Sequence, residues 1–338
     1  LFFVSPEGGK TMLKFEIFEH LKDEKVKEAV RVQSLIVKIL RDYLHEKGFS
    51  EILPVVISRV TDPLSEVKNS VSFEIYGQYY QLTKSMIFHK RMALYSLDKI
   101  FTFSPNVRIE EEKKSSTRRH LVEFVQLDLE MRNARMEDVM RIAEDMLCYL
   151  FDRLKNEAKD ELSYFGRELP ELKTPFPIYE FEEVYSRYGE DYENILSTNS
   201  THPLWVVHFP ETRREFYYKT IPGTNKMADF DLLYPYGYGE AISGGEREDN
   251  KDNVIRKLKN KDADYLKDLY LKLLDAGVPP SSGFGIGIER LTMFVCGLDH
   301  IIYTKFFQNC LSRKFNSFNK EGLCRALSFI AKKRSLNF

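Results

Sequence analysis

The stretch IFTFSPNVRIEEEKKSSTRRHLVEFVQLDLEM, residues 100–131, decides how the rest of the chain is read. Ile100–Phe103 reads as a strand, Ser104-Pro105-Asn106 as a turn, and the next residues as a strand carrying Arg108. A charged loop from Glu110 to Arg119 leads into a long strand, His120–Glu130, made largely apolar by Phe124, Leu127 and Leu129. Two buried strands joined by a loop rich in Lys, Arg and Ser can place cations over a polyphosphate. A surface hairpin with a solvated charged tip is the plain alternative. Two details weigh against it: Arg108 lies inside a strand, and Arg119-His120-Leu121-Val122-Glu123-Phe124 mixes cation, imidazole, carboxylate and aromatic at strand spacing.

That string resembles the second signature motif of class II aminoacyl-tRNA synthetases of the aspartyl/asparaginyl branch. The match rests on Arg108, Glu110, Thr117, Arg119, His120, Glu123, Phe124 and Asp128. The implied fold is α+β, an antiparallel sheet flanked by helices. The likeness implies that Arg108 bridges the attacking carboxylate and the α-phosphate of ATP. It also places Glu110, His120 and Phe124 at the nucleotide.

The whole chain sets bounds on this reading. Its 338 residues carry a net charge of -1, so the basic excess of a dedicated nucleic-acid binder is missing. Cys148, Cys296, Cys310 and Cys324 form no CxxC pair, which points away from a zinc site or a disulfide framework and suggests a reducing, cytoplasmic setting. No apolar run approaches the roughly 20 residues that span a bilayer, so no membrane is expected as a partner.

Residues 1–11 lack periodicity and read as a leader outside the core, with the catalytic domain over 12–298 and a basic tail over 299–338. Lys25–Lys47 carries apolar residues at helical spacing and is closed by Gly48. Phe49–Ser58 reads as a strand containing Pro54, and the pair resembles the first class II motif, which implies a homodimer. Thr61–Ser72 reads as a mobile loop. A hairpin turning at Gly77 follows, and then Leu82–Lys90 opens a helix. This segment resembles the Ser-Pro-Gln-x-x-Lys signature lining the amino-acid pocket. Ser85 and Lys90 match, while Met86 and Ile87 replace Pro-Gln. A solvated helix lysine is the plain alternative for Lys90.

Met136–Ala158 is a second amphipathic helix, and Leu162–Asn199 a mixed insertion with two short helical stretches. His208, on the apolar strand His202–Phe209, reads as a satisfied core histidine. Ala228–Glu240 reads as a strand ending in a Gly/Tyr/Pro turn, flanked by Asp231 and Glu240. If these acids converge they form a hard-oxygen site for Mg²⁺ carrying ATP phosphates. In Ser243-Gly244-Gly245-Glu246-Arg247 the glycines allow close backbone approach, and Arg247 offers a planar fork for a carboxylate. Ser281–Leu291 (SSGFGIGIERL) resembles the third class II motif, in which Arg290 would cover adenine opposite Phe124 and reach the terminal phosphate. It lacks the downstream acidic residue that a dinucleotide site requires.

The first motif begins within a few tens of residues of the start, with no room before it for the barrel that grips the anticodon. From this, and from fragments such as Leu-Thr-x-Ser-Met-Ile-x-His-Lys, the closest likeness is to archaeal asparagine synthetases derived from this branch. It implies activation of aspartate by ATP, attack by ammonia, and no tRNA binding, with Ser85, Lys90 and Arg247 holding aspartate and Arg108 and Arg290 catalytic. The alternatives are a synthetase or paralogue that aminoacylates tRNA or another macromolecule, and a non-catalytic ATP-binding regulator.

Overall fold

The computed structural model describes residues 18–62, 64, 71–109, 117–261 and 266–307. The amphipathic stretch read from the sequence forms α1, Glu24–Glu46, which starts where Asp23 accepts the N–H of Lys25 at 2.9 Å. It stops at Gly48, whose φ of +79° suits a residue without a Cβ. The expected strand over Phe49–Ser58 survives only as two short pieces, β1 (Ser50–Glu51) and β2 (Ile57–Ser58), because Pro54 interrupts it. β3 (Ser72–Ile75) and β4 (Gln78–Leu82) make the hairpin at Gly77 and join β2 in a three-stranded sheet. α2, Ile87–Ala93, follows.

β5 (Lys99–Val107) and β6 (Glu123–Arg132) pair antiparallel along nine residues. The turn expected at Ser104-Pro105-Asn106 is absent, and Pro105 lies within the strand opposite Val125. β1 covers β5 only at Ile100 and Phe101, so by Pro105 the strand has an open edge and needs no donor there. α3 (Met136–Glu157) and α4 (Lys159–Tyr164) come next, and the insertion that follows holds β7 (Ile178–Glu180), α5 (Phe181–Tyr188) and α6 (Tyr192–Asn199). β8 (Leu204–Val207), β9 (Asp229–Tyr234) and β10 (Gly239–Glu246) precede α7 (Lys251–Asn260) and α8 (Lys267–Asp275). β11 (Ser281–Gly287) runs straight into α9, Ile288–Cys296.

The main sheet has eight strands in the order β1-β5-β6-β11-β10-β9-β8-β7. It is antiparallel except for the parallel pairs at its two edges. Period-two alternation gives its faces different jobs. From β6, Leu127 and Leu129 enter the core with α1, α3 and α9, while Gln126, Asp128 and Glu130 point to the opposite face. The body also continues past the expected boundary at residue 298: Ile301, Ile302 and Thr304 are buried. The tail beyond 307 lies outside the described residues, as do residues 1–17 and most of the loop expected to be mobile.

On that second face glycine is obligatory opposite the acids. Gly283 pairs with Glu130, and a Cβ there would sit 2.1 Å from Glu130 Oε2 and 2.2 Å from the Leu129 carbonyl oxygen. Because one obstacle is backbone, Gly283→Ala is expected to cost about 3 kcal/mol, at the upper end of overpacking, read as a fall in calorimetric Tm.

Candidate active site

One cavity of about 310 Å³ lies on the polar face of the sheet. It gathers Ser85, Lys90, Arg108, His120, Phe124, Glu240, Arg247 and Arg290, the residues expected from the sequence. Glu110 lies outside the described residues. Two ends can be distinguished by their chemistry.

At the first end Arg108 leaves the end of β5 and donates from Nε to the Lys84 carbonyl (3.0 Å) and from Nη2 to Gln126 Oε1 (3.2 Å). Its guanidinium lies over the Phe124 ring, 5.0 Å from the centroid. Arg290, in the first turn of α9, donates from Nη2 to His120 Nε2 at 3.2 Å and from Nη1 to the Glu240 carbonyl at 3.4 Å. Since arginine is only a donor, His120 accepts on Nε2 and keeps its proton on Nδ1, beside the Thr117 hydroxyl. Beneath them Glu289 accepts the Val125 N–H on both oxygens, at 3.0 and 3.1 Å. Two arginines and an imidazole thus converge with an aromatic ring, an arrangement suited to a nucleotide triphosphate.

The second end is a buried charge network. Arg247 is 2% exposed and binds Glu130 as a fork, Nε and Nη2 each 2.8 Å from a carboxylate oxygen. Ser281 donates to the same carboxylate at 2.8 Å. Burial alone would raise the Glu130 pKa, but Arg247 and Lys90 outweigh it and hold it below the usual range. Burial likewise opposes the charge of Arg247, and Glu130 more than restores it. The solvated-helix alternative for Lys90 is excluded. Its ammonium is buried and commits three protons to Asp128 Oδ1 (3.1 Å), the Phe284 carbonyl (3.2 Å) and the Leu129 carbonyl (3.4 Å). Lys90 therefore orients Asp128 and has no proton left for a substrate carboxylate. Ser85 accepts the Ile87 N–H at 3.2 Å, starting α2. The other oxygen of Asp128, Oδ2, is buried without a hydrogen-bond partner among the described residues.

The two metal candidates do not stand alike. Glu240 lines the cavity. Asp231 is buried and ion-paired to Arg214 at 2.8 Å, with Asp229 on the same guanidinium. Burial pushes Asp231 up, against the pull of Arg214, and pushes Asp229 up to about 7. Arg214 thus balances the charge of Asp231, while the nearby Glu240 raises its pKa further. Among the described residues no group of three or more potential ligands converges. A magnesium ion carried by phosphates needs only one or two carboxylates, and Glu240 meets that requirement alone.

Several lining residues carried no signal in the sequence. Asp62 lies in the cavity with its Oδ2 accepting the Tyr217 hydroxyl at 3.0 Å and Oδ1 the Leu64 N–H at 3.2 Å. Burial, then the nearby Glu215, pushes it up to about 6. Asp62 and Tyr217 are 155 positions apart, so only the fold reveals them as partners. His208, expected as a satisfied core histidine, is satisfied by Glu180 Oε1, 2.8 Å from Nδ1, but is only half-buried, at φ +61°.

The family model described as tRNA synthetases class II (D, K and N) matches residues 9–310. The chain belongs to that family. It is 31% identical over 313 residues to the asparagine–tRNA ligase of Pyrococcus abyssi, an alignment covering 87% of this chain and 71% of that one. The asparagine–tRNA ligase of Sorangium cellulosum is 29% identical, with 92% and 75% covered. Among solved structures, asparaginyl-tRNA synthetase of Pyrococcus horikoshii complexed with asparaginyl-adenylate superposes with a TM-score of 0.79 at 28% identity, covering 90% of this chain and 73% of that one. These findings overturn the expectation of an ammonia-dependent asparagine synthetase and, with it, the expectation that no tRNA is bound. The fold class stands, and so does an ATP-dependent ligase. No described helix is long and apolar enough to cross a membrane.

Proposed function

We propose that the chain activates asparagine with ATP, forming asparaginyl-adenylate and pyrophosphate, and passes the asparaginyl group to tRNA. The observation that carries this reading is the two-ended cavity. One end holds Arg108, His120 and Arg290, and the other the neutralised Arg247–Glu130 pair beside an Asp128 carboxylate oxygen that has no hydrogen-bond partner among the described residues. The relatives' activity supports the choice of amino acid and acceptor.

Activation is an attack of the substrate carboxylate on the α-phosphorus, with departure of pyrophosphate. For such displacements positioning and charge stabilisation do most of the work. Arg108, already fixed by Lys84 and Gln126, bridges carboxylate and α-phosphate. Arg290 and His120 hold the β- and γ-phosphates, and Phe124 stacks on the base. Magnesium, when bound, neutralises phosphate charge, and Glu240 would hold it. At the other end, Asp128 Oδ2 accepts from the substrate ammonium, with Asp62 adding negative charge. Arg247 has given two nitrogens to Glu130 and offers Nη1 to the side-chain carbonyl. Lys90 and Arg247 balance Asp128 and Glu130, and an uncharged side chain suits this balance better than a second carboxylate. The surface around Pro54, where Leu53, Val56 and Ile57 are exposed, is kept as the self-association face of a dimer, to be checked by sedimentation.

The deciding experiment is pyrophosphate exchange with asparagine and with aspartate, followed by charging of total tRNA. Asparagine-dependent exchange and labelled asparaginyl-tRNA are expected. Exchange with aspartate in preference to asparagine would sink the substrate assignment.

Asp62 makes the reaction pH-dependent. Its folded pKa, about 6, exceeds the ordinary 3.8. If its anion faces the ammonium, KM for asparagine is flat above pH 6 and rises about tenfold per unit below it. The stability linkage has the opposite sign: the raised pKa favours folding below pH 3.8, and that contribution is lost as pH rises through 6. Asp62→Asn should therefore flatten the acid limb of KM without lowering Tm at pH 7. An unchanged limb in that variant would exclude Asp62 from ammonium binding.

A further inference from the structure

The turn that delivers Glu240 is gripped by α6, a helix of the insertion that does not line the cavity. Glu193 Oε1 accepts the backbone N–H of Glu240 at 3.2 Å and Arg119 Nη1 at 3.0 Å. Arg119 Nη1 also donates to the Tyr238 carbonyl at 3.0 Å. One turn further along α6, Ser197 Oγ accepts the Gly239 N–H at 2.8 Å and donates to the Tyr234 carbonyl at 2.6 Å. Its own carbonyl takes the Gly237 N–H at 3.1 Å. Between these contacts Gly239 adopts φ +70°, and a Cβ there would lie 1.6 Å from Arg119 Nη1 and 2.4 Å from Glu193 Oε1. The sequence has thus left out a side chain where the Arg119–Glu193 pair passes. Arg290 completes the circuit, donating from Nε to the Arg119 carbonyl at 3.3 Å and from Nη1 to the Glu240 carbonyl at 3.4 Å.

We propose that Glu193 is a positioning residue for the phosphate end of the site. From outside the cavity it holds the Arg119 guanidinium and the Glu240 backbone in register, and so sets how ATP is received. This rests on the reading that the end lined by Arg119, Glu240 and Arg290 takes the phosphates. Glu193→Ala removes the charge-assisted hydrogen bond to Arg119 and the acceptor of the Glu240 N–H, and a loss of about tenfold in ATP binding is expected.

The test compares wild type, Glu193→Ala and Glu193→Gln in asparagine-dependent pyrophosphate exchange, alongside calorimetric titration with ATP alone. Glu193→Ala is expected to raise KM for ATP about tenfold while KM for asparagine stays within about twofold. Glu193→Gln keeps an acceptor for the Glu240 N–H but drops the charge facing Arg119, so an intermediate value is expected. An unchanged KM for ATP in folded Glu193→Ala, or an equal rise for both substrates, overturns the proposal. Should the alanine variant not fold, the glutamine variant decides by the same split. If wild type shows no exchange, the functional reading falls by itself, and the ATP titration still decides: equal affinities for wild type and variant reject the positioning role, as does a wild type that binds no ATP.

Discussion

Arg108→Ala is expected to lower asparagine-dependent pyrophosphate exchange by about a thousandfold while leaving the fold intact. The size follows from what the side chain is asked to do. A donor aimed at charge that develops in the transition state is worth about 10²–10³ in rate, and in the proposed reaction Arg108 serves both the incoming carboxylate and the α-phosphate. Its geometry is set beforehand by Lys84 at 3.0 Å, Gln126 at 3.2 Å and the Phe124 face. Little reorganisation is then left for the reaction itself. Arg108→Lys keeps a charge but not the planar fork, and a loss of about a hundredfold is expected. A second effect separates this account from simple damage. Arg108 helps to lower the Asp62 pKa, so removing it should move the acid limb of the asparagine KM to higher pH. Exchange within tenfold of wild type would take Arg108 out of the site.

How far this site could be read in advance depended on whether its signals were local. α1, α3 and the β11–α9 turn were legible because each announces itself within a dozen residues. Apolar spacing marks the helices, Gly48 a stop, and the glycines of Ser281–Leu291 a strand that turns straight into a helix. Arg108, His120, Phe124, Arg247 and Arg290 were legible as a motif and do line one cavity. What failed needed the third dimension. Pro105 looked like a turn because its strand's open edge is a property of β1, some fifty residues away. The ion pair of Asp231 was equally invisible, because nothing near it in sequence announces Arg214, which reaches it from the 211–218 segment. Lys90 looked available because its three acceptors come from β6 and β11. The acceptor of the activated amino acid was misread for a different reason. Met86 and Ile87 and the nearness of the first motif to the start say nothing about what attacks the adenylate.

Glu130→Ala is expected to be the most damaging substitution for the fold, with a loss of about 3–5 kcal/mol. The reason is asymmetry. The Glu130 carboxylate is fully buried and carries the fork of Arg247, the Ser281 hydroxyl and, at 3.5 Å, the ammonium of Lys90. Removing it strands two cations in a place where Asp128 alone remains to balance them. Glu130→Gln preserves shape but presents one N–H₂ to a guanidinium that can only donate, so it too should lose stability, though less. The sign also shows in pH. The folded pKa of Glu130 is held below its ordinary value, so its stabilising contribution is complete above the unfolded carboxylate pKa and is lost as pH falls through the folded one. Wild type should therefore lose Tm in acid more steeply than Glu130→Gln does. In the proposed reaction the same network sets selectivity: with Glu130 neutral, Arg247 and Lys90 leave net positive charge at the side-chain end, and aspartate should gain on asparagine in pyrophosphate exchange. A Glu130→Gln protein that keeps wild-type preference would show that the amide is chosen elsewhere in the cavity.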